Sequence, residues 1–442
     1  MAVDATDTRL VTLSPGVRRR FLRTLLTGAA TPDRLRRVGA VLVLGCLLFA
    51  LVSALSGVTR TDAVQDAGSR LAALNADAAQ LYQALADADA MATSGFVAGG
   101  REPPAVRNRY DDDLARASDR LIQAAGRLPD GDPAQQPIMS ISGRLAEYAG
   151  LIETARVYNR QGLPLGQSYL DSGSRLMRTE ILPAAEQLRR LQTAALEVDY
   201  QRGGVIPFAA LLVGVAVLAA VIDVAVVERR RTNRVLNLGL LGAGLAVTAA
   251  VLWWAVALLV AGSHLAEARQ HSDAAAALDE ARAAVLQARS TESLVLVARN
   301  GGSTSDADYF DQLRRVVGPD GSGGLLGAAA TTVPAGRITE IRAATQAWQD
   351  AHRRLRLLDD GGNYRAAVAS ATGTDPAGSG VAFQRLDSTL GGVADTERRA
   401  FDDDLDAAGG VLTAISIGPA ALAVLAAAAA SAGIARRVGE YR

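Results

Sequence analysis

The sequence contains no lysine, a single cysteine (Cys46) and three histidines, and only 4% of its 442 residues are aromatic. Without lysine there can be no Schiff base and no phosphate loop of the Walker kind, whose lysine reaches the phosphates. One cysteine excludes an internal disulfide, and no spaced Cys/His cluster of the zinc-binding kind is present. No Gly-rich phosphate loop and no Ser/His/Asp set appears. No catalytic residue, cofactor-binding residue or metal ligand is therefore assigned, and enzyme activity is not expected. The 46 basic residues, all arginine, balance 46 acids, and no nucleic-acid partner is expected.

What is abundant is apolar. Nearly half the residues are hydrophobic, and mean hydropathy is slightly positive despite 21% charged residues. Both hold because the two kinds of residue are segregated along the chain. Four stretches are long enough to cross a bilayer, which takes about 20 helical residues. They are "VGAVLVLGCLLFALVSALSGV" (38–58), "GVIPFAALLVGVAVLAAVIDVAVV" (204–227), "VLNLGLLGAGLAVTAAVLWWAVALLVAG" (235–262) and "VLTAISIGPAALAVLAAAAASAGIA" (411–435). Lipid-exposed backbone must satisfy its own polar groups, so all four are expected to be helices. The leader before the first is long and no small-x-small cleavage site follows it, which argues against a signal peptide. "VLGC" ends at Cys46, but apolar sequence continues past it, so a cysteine buried in a span is expected rather than a lipoprotein box.

Arginine sets the expected orientation. Residues 1–37 carry Arg9, Arg18, Arg19, Arg20, Arg23, Arg34, Arg36 and Arg37; the 228–234 link is "ERRRTNR"; the 436–442 stub ends "ARRVGEYR" from Ala435 on. By the positive-inside rule these lie in the cytoplasm. Segments 59–203 and 263–410 then lie outside it, each about the size of one domain. The expected location is the inner (plasma) membrane, multi-pass, with both termini cytoplasmic.

After the first span the sequence becomes a heptad. Val64, Ala67, Leu71, Leu74, Ala78, Leu81, Leu85, Ala88 and Ala92 follow alternating steps of three and four, the seam of a helix in a left-handed bundle. "AGGREPP", "LPDGDPAQQP" and "NRQGLPLG" mark three turns, with Ile138, Ile141, Leu145, Tyr148, Ile152 and Ala155 on a later seam and a last helix leading into span two. The spacing predicts a four-helix bundle. Segment 263–410 repeats the plan at an offset of about 200: His271, Ala274, Leu278, Ala281, Val285 and Ala288 form its first seam, and Ile338, Ile341, Trp348 and Leu355 answer Ile138, Ile141, Tyr148 and Ala155. The expected fold is an all-α membrane protein with four transmembrane helices and two tandem extracytoplasmic four-helix bundles, produced by internal duplication of a span–bundle–span unit. The second copy is Gly-rich in its turns, and its second helix is expected to be short.

Two acidic triplets, "YDDDL" at 110–114 and "FDDDL" at 401–405, invite a metal. Tyr110 aligns with Tyr309 and Leu114 with Leu313, however, so the counterpart of the first is "YFDQL", where only Asp112 persists as Asp311. Consecutive helical residues stand about 100° apart, so three adjacent aspartates cannot converge on one ion. Both triplets read as solvated faces. His264 and His271 are seven residues apart on one face, and with His352 they read as partly buried bundle residues; a metal would need a further ligand from another helix at matching height. Glu292 takes a seam position where the first copy has Ala92, and a carboxylate there either pairs with arginine or lines a pocket. Tyr148 and Trp348 read first as core aromatics. These three residues are the weak candidates for a ligand or partner site. Asp223, near the cytoplasmic end of span two, reads as interfacial.

"RRRFLRTLLTGAATPDRLRR" sets Phe21, Leu22, Leu25 and Leu26 among arginines, an amphipathic helix suited to anionic membrane lipid or to a cytoplasmic partner. The Ala- and Gly-rich fourth span would permit close approach in a homodimer.

The outer segments resemble the four-helix sensory domains of chemoreceptors and histidine kinases, although no kinase, HAMP or methyl-accepting segment follows. Over about 40–435 the chain resembles the actinobacterial GlnX-type membrane proteins, with "MATSGFVAGGREPPAVRNRYDDDL" and "NRQGLPLGQSYLDSGSRLMRTEILP" as the segments that carry the likeness. The resemblance implies a non-enzymatic relay. An amino-acid-binding lipoprotein for aspartate or glutamate would engage it outside, and a Ser/Thr protein kinase of the protein kinase G type would receive the signal inside. No residue-level site is carried over. Two alternatives stand beside it: a receptor that binds a small ligand directly in its bundles, and a structural envelope or scaffold protein.

Overall fold

A computed structural model describes residues 31–63, 69–100, 102–129, 131–202, 207–232, 238–298 and 302–439. The amphipathic segment with Phe21, Leu22, Leu25 and Leu26, the seam positions Val64 and Ala67, Arg234 of the basic link and the last three residues lie outside them. Among the described residues the protein is all helix, with no strand. The helices are α1 (Thr31–Ala63), α2 (Ser69–Val97), α3 (Pro104–Arg127), α4 (Gln135–Arg160), α5 (Leu165–Leu176), a π-helical turn (Met177–Ile181), α6 (Leu182–Arg202), α7 (Pro207–Thr232), α8 (Leu238–Ala298), α9 (Gly302–Val317), α10 (Gly324–Ala329), α11 (Ala335–Asp360), α12 (Tyr364–Thr372) and α13 (Ser379–Gly439).

The chain divides into two compact units. The first comprises 1–62, 204–261 and 409–442. Four helices here are long and apolar enough to cross a membrane, with apolar windows at Arg36–Leu55, at Ala210–Val227, within Leu238–Ala298 and at Ile417–Arg436. Their packing is inverted relative to a water-soluble bundle. Small residues lie inside (Ala210, Ala243, Ala250, Ala423, Ala426, Ala430) with Phe49 and Trp254 between them, while Leu44, Leu212, Leu245, Leu259 and Leu425 face outward. Lipid gains nothing from hiding leucine, so small residues that let backbones approach supply the contact. A side chain on Gly239 would collide with the Gly433 backbone. The small-residue face of α13 thus packs within its own chain. Cys46 is buried in this packing, and Asp223 is half-buried.

The second unit comprises 63–203 and 262–408. Its two segments share one apolar core. The seam residues Leu74, Ala78, Leu81, Leu85, Ala88 and Ala92 are buried, as are Ala274, Leu278, Ala281, Val285 and Ala288. So are Ile138, Ile141, Tyr148 and Ile152, together with Ile338, Ile341, Trp348 and Leu355. α2 and the corresponding stretch of α8 run side by side in parallel and nearly in register. Ser94 meets Ser293, 199 residues on, at 3.2 Å, and Ser290 reaches Asp89, 201 residues back, at 2.8 Å. Each of these helices is therefore covered by its own segment on one side and by the other segment on the opposite side. That explains why residues 83–95 are buried without interruption, a pattern no single amphipathic stripe produces.

Local chain geometry also repeats. α4 ends at Gly162 (φ 69°), with Leu163 N–H donating to Tyr158 C=O and Gly162 N–H to Asn159 C=O. α11 ends at Gly362 (φ 79°), with Asn363 N–H donating to Leu358 C=O and Gly362 N–H to Asp359 C=O. Both are Schellman caps, which need the left-handed backbone that glycine adopts without strain. Their order is the same and their separation is that of the seams. The second helices differ: α3 has 24 residues and α9 has 16. The π-helical turn precedes Pro183, the second residue of α6. Proline lacks an N–H and its ring crowds the carbonyl four residues back, so a wider turn there accommodates it.

Candidate functional site

The polar residues buried where α2 and α8 meet form the candidate site. α2 contributes Asp87, Asp89, Thr93 and Ser94; α8 contributes Arg289, Ser290, Thr291, Glu292 and Ser293. At Asp89 one carboxylate oxygen accepts from Ser174 Oγ (2.8 Å) and Tyr148 OH (3.4 Å), and the other from Ser290 Oγ (2.8 Å). Burial drives the Asp89 carboxyl above its ordinary range, and the three hydroxyl bonds oppose that only in part.

Around Glu292 the arrangement carries more charge. Its carboxylate accepts from Arg289 (2.5 Å), from Ser379 Oγ (2.5 Å) and from His352 Nδ1 (2.8 Å). Trp348 Nε1 donates to the same Ser379 Oγ at 3.0 Å. Arg289 also donates to Ser94 Oγ on α2 (3.1 Å) and to the Ala371 carbonyl (2.7 Å). Burial alone would raise the Glu292 carboxyl; the His352 hydrogen bond and the Arg289 charge outweigh it and hold it down to about 2. Burial likewise lowers the His352 imidazolium, but Asp306 and Glu292 together lift it above its usual value.

The three residues singled out from the sequence thus fall into one connected region. Glu292 and Trp348 meet through Ser379, and Tyr148 joins by way of Asp89 and Ser290. Glu292 pairs with an arginine, as a carboxylate on a packed seam requires. The residues that reading did not find are Asp89, Arg289, Ser379 and His352 as partners. The available signal was the run of small and polar residues, "QARSTES", where a bundle seam should carry larger apolar ones.

A second buried cluster ties the two segments together. Arg109 on α3 donates to Asp87 Oδ2 and to Asp387 Oδ2 of α13, both at 2.7 Å, and Arg282 of α8 donates to Asp387 Oδ1 at 2.6 Å. Burial raises the Asp87 carboxyl, whereas the two arginines overcome burial at Asp387 and lower it.

The acidic triplets are not uniformly solvated, and that expectation is corrected. Asp111, Asp112, Asp402 and Asp403 are exposed, but Asp113 is fully buried and Asp404 half-buried. In each triplet the helical rotation turns the third acid inward. Asp113 pairs with Arg116 through one oxygen, while the other, Oδ2, is buried with no hydrogen-bond donor among the described residues. Burial first, and then the charge of Asp87, push its carboxyl up to about 7. A raised acid binds protons more tightly in the folded than in the unfolded protein, so folding stability falls as pH rises from about 4 to about 7. Asp113→Asn should therefore raise the melting temperature at pH 8 by several degrees and change it little at pH 5. Equal melting at both pH values would show that this carboxylate carries no burial penalty.

Tyr110 and Tyr309 are both buried, and neither hydroxyl has a hydrogen-bond partner among the described residues. Arg156 lies 4.1 Å from the Tyr110 ring centre, and His352 stacks on Tyr309 at 3.8 Å.

Residues 63–201 match the model of a family described as an actinobacterial sensor domain. That segment holds α2 to α6, hence Asp87, Asp89, Asp113 and Tyr148, and the match points to a sensory role. Neither a curated protein nor a solved structure gives a significant match to the chain.

Proposed function

We propose that this chain is a non-enzymatic membrane relay that reports on aspartate- or glutamate-type amino acids outside the cell to a Ser/Thr kinase inside. The observation that carries the reading is the sensor-domain match over 63–201, a segment bracketed by two of the four apolar helices. The outer unit is read as two copies of one bundle, paired in parallel as a homodimer of sensor domains would be; the equivalent seams, the paired Schellman caps and the Ser94–Ser293 contact support this. The arginines of the basic tail, link and stub support a reading with both termini in the cytoplasm, at the plasma membrane. α8 and α13 each run for 61 residues and contain both an apolar window and outer-unit residues, so a displacement of either helix has a covalent route inward.

Recognition of the amino acid is assigned to a partner lipoprotein rather than to the bundle. Glu292, Tyr148 and Trp348 already bond to neighbours within the chain. A ligand would have to displace those bonds and leave buried groups unpaired.

The test uses intact cells and the full-length protein. Cysteines introduced at the exposed positions Glu147 and Asp350, in a Cys46→Ser background, should react with an impermeant maleimide before lysis. Kinase output should respond to external aspartate or glutamate in the wild type and stay flat in a deletion strain. Cross-linking should recover an amino-acid-binding lipoprotein from the outer segments and the kinase from the inner ones. An unchanged response in the deletion strain would favour a structural role. Stabilisation of the purified protein by free amino acids alone would favour direct binding.

A further inference from the structure

We propose that His264, Asp404, His271 and Glu267 form a binding site for a first-row divalent cation of the zinc class, pinning α8 to α13. This site is separate from the buried network and does not rest on the relay. His264 Nδ1 lies 3.3 Å from Asp404 Oδ1 and 3.9 Å from Glu267 Oε2. One ligand atom from each of His264, Glu267 and Asp404 falls within 4.8 Å of the others. One heptad further along α8, His271 Nε2 lies 3.9 Å from Asp404 Oδ2. The two helices are antiparallel here, so His264 stands opposite Asp404 and His271 opposite Glu397. The second helix thereby supplies, at matching height, the ligand that two histidines on one helix lack.

Glu397 makes the arrangement more than a pair of ion pairs. Its buried carboxylate lies 2.7 Å from His271 Nδ1. With the proton on Nδ1 donated to Glu397, the Nε2 lone pair faces Asp404. A carboxylate that orients a ligating imidazole from behind is the usual outer-shell partner of a metal-bound histidine.

Size, charge and access agree. Ligands about 2.0–2.2 Å from a tetrahedral zinc stand roughly 3.4 Å from one another; His264 and Asp404, 3.3 Å apart, already match that spacing, Glu267 lies within 4.8 Å of both, and His271, 3.9 Å from Asp404, joins this group of three by closing on it through side-chain rotation. Two neutral imidazoles and two carboxylates neutralise a divalent ion. Glu267 is more than half exposed, which gives the ion an entry path. Two nitrogen donors select against calcium and magnesium, which prefer all-oxygen shells. A bound ion would fix the first turns of the second outer segment against its last ones.

The experiment is a zinc titration of the full-length protein in detergent after EDTA treatment, read by calorimetry and by thermal unfolding. One zinc per chain should bind with micromolar or tighter affinity and raise the melting temperature by several degrees; magnesium or calcium at the same concentration should not. His264→Gln and Asp404→Asn should each weaken zinc binding at least tenfold, and Glu397→Gln about tenfold. The double variant Asp402→Asn/Asp403→Asn should bind like the wild type, since those acids are exposed. Cobalt should give the visible absorption of a low-symmetry site in the wild type and lose it in His264→Gln, a readout independent of melting. The proposal is overturned if zinc produces no saturable shift, if His264→Gln and Asp404→Asn bind as tightly as the wild type, or if cobalt remains spectroscopically hexa-aqua.

Discussion

Glu292→Ala should lower the melting temperature of the purified protein by on the order of 10 °C, equivalent to about 3–5 kcal/mol. The wild-type carboxylate is fully buried and receives hydrogen bonds from Arg289, Ser379 and His352. Alanine leaves the buried Arg289 guanidinium without its carboxylate and the buried His352 imidazole with Asp306 alone, and it leaves the Ser379 hydroxyl, which also serves Trp348, without its acceptor. Removing one member of a buried ionic set costs far more than the set contributes relative to an apolar core, because the desolvated survivors remain. Glu292→Gln should be milder, since the amide oxygen still accepts hydrogen bonds.

The same residue predicts a pH profile. The Glu292 carboxyl is depressed, so its contribution is whole above pH 4.5 and lost as pH falls towards 2. The His352 imidazolium is raised, so its contribution is whole below pH 6.5 and lost as pH climbs through its folded value. Both are complete between those limits. Glu292→Gln should reduce the alkaline loss, because one of the two carboxylates that lift His352 is gone while Asp306 remains. Melting scans from pH 4 to 9 on the two proteins decide it. Parallel curves would mean that His352 titrates independently of Glu292.

How far these features could be read from the sequence depends on the range of the interaction. The four apolar helices follow from composition over about 20 residues, and Leu81, Leu85, Leu278 and Val285 were placed inside by heptad spacing alone. Glu292 stands out in the sequence because heptad spacing puts a carboxylate on a seam that otherwise carries apolar residues. Its partners do not: Ser379 lies 87 residues away and His352 60, and nothing local to either marks it. Asp87 and Asp89 lie off the heptad seam of α2, and nothing in the local sequence marks them as buried. Their burial is a consequence of the second segment closing over them. Asp113 was misplaced for a simpler reason: three adjacent acids look alike in sequence, and only the helical rotation against α2 separates the buried one from the two in water.

That closure makes Arg109 the other residue whose loss should be felt strongly. Its guanidinium bridges Asp87, in the sensor-matched segment, and Asp387, in the second one. Arg109→Ala should cost about 2–4 kcal/mol at pH 7.5, because two buried carboxylates then share Arg282 alone. Acidification should return part of the loss. Asp87 already holds its proton more tightly than a free aspartate, and without Arg109 it does so more strongly still, so protonation on acidification removes the unpaired charge. The wild type, with its arginine in place, should gain less over the same interval. Arg109→Lys should recover only a fraction, since Nη2 of the guanidinium bonds both acids while Nε also holds Asp87, a two-nitrogen set that one ammonium does not reproduce. A double-mutant cycle of Arg109→Ala with Asp387→Asn measures the cross-segment link itself. A coupling of about 1–3 kcal/mol is expected for groups in direct contact. Additivity within about 0.5 kcal/mol would mean that Arg109 serves its own segment only. The sensor-matched segment and its neighbour would then be held by apolar packing and by other cross-segment contacts, among them Ser94–Ser293, Ser290–Asp89, Gln83–Asp279 and Gln287–Tyr82.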